Sequence, residues 1–241
     1  MSQSFSFGIW SVERFFTLIL VTFGAGSLYS QQPQNSDRTG RGGKSTSAAS
    51  TPRAAVAVRP TPNPQQLERL AHIAGKVLDQ IQTEENDLYQ RLSYFEKPER
   101  LDPSSYASKD EIAQWKGILQ QLKDKSEKVA ALYADLGKDL DTALKNGGAN
   151  DEVAGAMKRA IMDGFPWEDI QKKKQLIADF IEEHGKLLVF YEKNWGSWVK
   201  GSDAKKPEFT SSSASNIYNQ LRDKIVSTRD QIQKAYKAMS E

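Results

Sequence analysis

The residue pattern predicts an all-α protein: an antiparallel helical bundle of four long helices plus one short helix, preceded by a disordered leader. Three observations predict it. Beyond residue 62 the apolar residues recur in steps of three and four, the spacing of one helix face. Asn, Ser, Pro and Gly punctuate these ladders where helices begin and end. No segment alternates polar and apolar residues with the two-residue period of a half-buried strand. The expected organisation is residues 1–30 as a signal peptide or membrane anchor, 31–62 as a disordered basic linker and 63–241 as the bundle domain.

The N-terminal segment carries the unbroken run Phe15 to Phe23, then small residues up to Ser30, with polarity starting at Gln31. A short apolar run followed by small residues is the pattern of a cleaved secretory signal. A membrane span needs about 20 apolar residues, more than this run supplies, so an uncleaved anchor is the competing reading. On either reading the remainder is exported, as a periplasmic, envelope-associated or secreted protein. Any membrane contact is then made through this segment alone.

Residues 31–62 are rich in Gln, Ser, Thr, Gly, Ala and Pro and have no apolar period. Such a stretch buries too little surface to offset its ordering entropy. It carries five basic residues against Asp37, a net +4, whereas residues 63–241 hold 27 basic against 29 acidic. A basic tether beside a slightly acidic bundle suits weak contact with an anionic surface. Gly43-Lys44-Ser45 resembles the end of a phosphate-binding loop, but Arg38 stands where that loop needs glycine, and no strand or helix flanks it.

Asn63-Pro64-Gln65-Gln66 opens the first helix: Asn as cap, Pro in the first turn, Gln66 placed to return the cap hydrogen bond. Its ladder is Leu67, Ala71, Ala74, Leu78, Ile81, Glu85, Leu88, Leu92 and Phe95, broken only by Glu85. Ser108-Lys109-Asp110-Glu111 is a capping box for the second helix. Ten coiled-coil-like positions follow: Ile112, Trp115, Leu119, Leu122, Ser126, Val129, Tyr133, Leu136, Leu140 and Ala143, broken only by Ser126. Ile118, Leu132 and Leu144 widen that stripe, which favours a bundle over a two-stranded coil.

Asn146-Gly147-Gly148 ends this helix. A short helix over about 150–163 ends at Gly164, and Phe165-Pro166-Trp167 restarts the chain. The helix that follows is the most apolar, with Ile170, Ile177, Phe180, Ile181, His184, Leu187, Leu188, Phe190, Tyr191 and Trp195. After a polar loop over 200–214, the last ladder is Tyr218, Leu221, Ile225, Thr228, Ile232, Ala235 and Met239.

Composition removes several chemistries. The chain has no cysteine and only two histidines, His72 and His184. Disulfides and thiolate sites are therefore excluded, and imidazole catalysis has little to draw on. A net charge of +2 across the chain is too weak for a nucleic-acid footprint. Di-iron bundles need Glu three residues before His, where this chain has Ile181 and Arg69. No catalytic, cofactor or metal residue is assigned, and no cofactor is expected. One polar residue interrupts each long ladder: Glu85, Ser126, His184 and Thr228. Measured from the connection between the first two helices, Glu85 and Ser126 differ in depth by about 12 Å, so they are expected to lie apart.

Tyr191, Trp195 and Trp198 form the one aromatic cluster that suits contact with a partner or ligand. The expected role is a non-enzymatic interaction or scaffold module, with an unidentified protein partner, at the cell envelope or outside the cell. The alternative is a binding protein that holds an apolar ligand or lipid between helices near Phe180, His184, Leu188 and Tyr191.

Overall fold

The computed structural model describes residues 63–200 and 207–240. Residues 1–30 and 31–62, expected to be a signal or anchor and a basic linker, lie outside the described residues, as does the side chain of Met239. Among the described residues there are four long helices and one short one: α1 Pro64–Phe95, α2 Lys109–Asn146, α3 Asp151–Asp163, α4 Trp167–Lys193 and α5 Ser212–Ser240. None of them is long and apolar enough to cross a membrane.

The helix starts follow local chemistry. The Asn63 side chain accepts from the backbone N–H of Gln65 at 3.0 Å, a cap worth about 1 kcal/mol. Gln66 does not close the expected box; its amide donates instead to the carbonyl of Gly148 at 3.1 Å and ties the start of α1 to the end of α2. Ser108 Oγ accepts from the Glu111 N–H at 3.1 Å, while the Glu111 carboxylate takes the N–H of Ala107 at 2.7 Å. At Gly147 an added Cβ would lie 2.5 Å from Ile73 Cδ1, so a side chain there would have to displace the tip of Ile73 on α1. Gly148 then turns the chain out of the helix at φ 90°.

The ladders become the core. α2 buries Ile112, Leu119, Leu122, Val129, Tyr133, Leu136 and Leu140, then Leu144 in place of Ala143. A straight helix drifts away from a strict seven-residue repeat, which accounts for the final shift. α4 buries 11 residues against 9 in α1 and 8 in α2, in keeping with its composition.

The helices pack in sequence as antiparallel neighbours. Glu84 of α1 meets Lys125 and Lys128 of α2. Lys116 of α2 meets Glu192 of α4. Tyr191 of α4 lies 6.4 Å from Tyr218 of α5, and Tyr236 closes the ring on Tyr89 of α1 at 4.6 Å. α3 covers the far end of α2, with Met162 against Gly137.

One expectation needs correction. A two-stranded antiparallel hairpin, β1 Trp198–Lys200 and β2 Pro207–Phe209, sits between α4 and α5, with Trp198 opposite Phe209. Strands of three residues are too short to display a two-residue alternation.

Candidate functional site

The aromatic residues singled out from the sequence gather at one end of the bundle, but mostly inside it. Tyr191 is fully buried, and Trp195 and Trp198 are half-buried. The two indoles meet edge-on at 5.2 Å, and Trp198 lies 6.3 Å from Tyr191 and 6.1 Å from Phe209. Phe209 in turn packs on Phe190 and Tyr218, each at 5.2 Å. The hairpin therefore swings Trp198 and Phe209 over the ends of α4 and α5. Burial pushes the Tyr218 hydroxyl up to about 12 and that of Tyr191 well above its ordinary value. Tyr218 donates to the Leu101 carbonyl at 2.7 Å, fastening the loop between α1 and α2 to the same cap.

The polar centre of the core lies elsewhere. Lys173 Nζ of α4 donates to Glu85 of α1, with the two residues 3% and 1% exposed. Tyr133 of α2 stands against the same carboxylate. Burial first, and then the charge of Glu85 and the hydrogen bond to it, raise the Tyr133 hydroxyl far above its ordinary value. The Lys173 ammonium lies 5.1 Å from the ring centroid of Tyr236 on α5, a cation–π contact. One ion pair thus engages side chains from all four long helices. A cavity of about 30 Å³ adjoins it, lined by Glu85, Ser126, Tyr133 and Lys173 among others. That is room enough to hold a water molecule.

Glu85 and Ser126 therefore share a cavity, against the depth argument. Phe95, the last residue of α1, packs edge-on against Trp115 of α2 at 5.4 Å. The first turns of α2 project beyond the end of α1, and the connection folds back beside them as two 3-10 turns, Pro98–Leu101 and Pro103–Ser105, with Arg100 over the Trp115 ring. Counted from the contact of Phe95 with Trp115, Glu85 and Ser126 are level. Lys173 escaped notice within Lys172-Lys173-Lys174. Lys173 and Lys174 fit the three-and-four spacing between Ile170 and Ile177 equally well, and it is the fold that buries Lys173 and exposes Lys174.

His184 is the other buried titratable group of the core, 1% exposed. Its Nδ1–H donates to the Phe180 carbonyl at 3.1 Å, and Nε2 has no partner among the described residues. The ring packs on Phe180 at 4.2 Å and Phe95 at 5.5 Å. Burial lowers its pKa to about 4, opposed by the backbone of Phe180 and then that of Phe95. Phe180, His184, Leu188 and Tyr191, the expected lining of an apolar ligand site, are all buried within this packing. Thr228, the remaining ladder interruption, is half-buried.

The acids split by setting. Glu84, Asp87, Glu182 and Glu192 are held low, chiefly by hydrogen bonds from lysines. The Glu96 carboxyl is raised by burial. Among the described residues no group of three or more His, Asp or Glu side chains is placed to hold a metal ion.

Outside the core, α2 and α4 leave a groove of about 680 Å³ between them. Ala130, Ala131 and Ala134 form one wall, Ala178 and Ile181 the other, and Lys123, Glu127, Lys174 and Glu182 stand around it. No family model, no curated protein and no solved structure matches this chain.

Proposed function

We propose that the chain is an exported, non-enzymatic helical-bundle protein that acts as an interaction or scaffold module at the cell envelope or outside the cell. The observation that carries this reading is a contrast between inside and outside. Inside, the charged groups answer one another: Lys173 is committed to Glu85, and Tyr133 and Tyr236 surround the pair. Outside, the α2–α4 face is an open groove with short side chains and charges of both signs at its rim. A rigid interior with an uncovered surface suits binding to another macromolecule better than turnover of a small one. The N-terminal apolar run and the basic tether supply the route of export and the reach.

Fractionation of cells expressing the full chain, with N-terminal sequencing of the product, tests the exported half of this proposal. The expected product starts near Leu28 or Gln31 outside the cytoplasm, or remains intact in the membrane fraction. Recovery of the intact chain from the cytoplasm overturns the reading.

A further inference from the structure

The groove described above is not uniform along α4. The outward stripe of this helix is Gln171, Lys174, Ala178, Glu182, Gly185 and Val189, and all of these but Gly185 are exposed. The stripe is balanced about Ala178. Lys174 lies four residues before it and Glu182 four after; Gln171 and Gly185 are each seven away; Trp167 and Val189 are each eleven away.

We propose that this face of α4 docks on the same face of a second copy of the chain, antiparallel about a two-fold axis at Ala178. Antiparallel pairing brings Ala178 against Ala178, Lys174 against Glu182 of the second copy, and Trp167 against its Val189. A two-fold interface must be complementary to itself, and a stripe with a cation and an anion at equal distances from a small central residue meets that condition. Short side chains at the crossing let two helix axes approach to about 8 Å. The alanines of α2 lower the adjoining wall so that the second helix lies in the groove.

The charges are placed to serve. Lys174 makes no ion pair among the described residues. Glu182 accepts from Lys186 at 2.7 Å, but Lys186 also holds Glu183 at 2.9 Å and keeps that partner if Glu182 turns outward. Val189, 37% exposed, is one of the few large apolar side chains left in solvent.

The proposal names the partner of the interaction module and so rests on that reading; a monomeric result overturns the self-docking and leaves export and other partners as they stand. The test is sedimentation equilibrium of the full chain with charge variants, each first shown to keep wild-type helicity and thermal midpoint. Wild type is expected to dimerise at micromolar concentration. Lys174→Glu puts like charges opposite each other twice per dimer and should weaken association roughly tenfold or more. Lys174→Glu with Glu182→Lys restores both pairs and should return association to within about threefold of wild type. Because the chain has no cysteine, Ala178→Cys adds a single thiol at the axis. Mild oxidation should link it into a covalent dimer much faster than Gln121→Cys, an exposed control. A monomer at all concentrations, a dimer indifferent to Lys174→Glu, a double variant that fails to recover, or equal cross-linking at residues 178 and 121 would each contradict the proposal. Capture of some other protein on this face in place of a second copy would contradict it as well.

Discussion

Two groups of the same core face the same problem and solve it differently. Glu85 and Lys173 are charged groups taken out of water, and they meet each other across α1 and α4. His184 is taken out of water alone, with one ring nitrogen bonded to its own helix and the other unpartnered. Lys173 donates to Glu85 across the helices, Tyr133 stands against the same carboxylate, and the ring face of Tyr236 lies by the ammonium. The histidine gives up its charge instead. A buried ion therefore ties helices together only when its counter-ion comes from another helix; a lone titratable ring is packing that acid can undo.

The largest effect should come from breaking the pair. Glu85→Ala leaves an ammonium inside the core and is expected to cost about 3–5 kcal/mol in urea denaturation. The histidine comes next. His184 titrates near 6.5 when unfolded and near 4 when folded. Below the unfolded value the unfolded chain binds a proton that the folded chain refuses. The stability linked to His184 is thus complete above pH 6.5, declines as pH falls and levels off below 4. The loss amounts to about 3 kcal/mol. It is measured as the difference in pH dependence between wild type and His184→Leu, which should lack this decline.

Removing the support of the pair rather than the pair sharpens the comparison. Tyr133→Phe takes one donor from Glu85 and is expected to cost about 1–2 kcal/mol, read from the shift in the denaturation midpoint. The smallest effect belongs to charges that never left water. Lys116→Ala removes the partner of Glu192 at the rim and should change stability by less than about 1 kcal/mol.

Most of the fold was legible in the sequence. Asn63 and Ser108 cap the helices that their hydrogen-bonding chemistry indicates, and the ladders of α1 and α2 became buried stripes. Legibility stopped where meaning depends on a partner distant in sequence. Glu85 stood out as a lone polar residue in an apolar ladder, but its counter-ion lay hidden in a run of three lysines. In α5 the expected ladder ran through Ala235 to Met239, whereas Tyr236, one residue beyond Ala235, is the side chain that reaches Lys173. The relative depth of Glu85 and Ser126 hinged on how residues 97–108 fold, and a loop of two short 3-10 turns has no periodicity to read. For Tyr191, Trp195 and Trp198, composition showed a cluster but not which way it faced; the hairpin that turns Trp198 inward is shorter than any pattern a sequence displays.

The central claim is that Glu85 and Lys173 act on each other, as structure. A double-mutant cycle with Glu85→Gln and Lys173→Met measures this directly, since Gln retains an acceptor for Tyr133 and Met matches the lysine stem. Each single variant should lose several kcal/mol by leaving a polar or charged group unanswered, and the double variant should lie within about 1–2 kcal/mol of wild type. A double variant as unstable as the sum of the two singles would contradict the account.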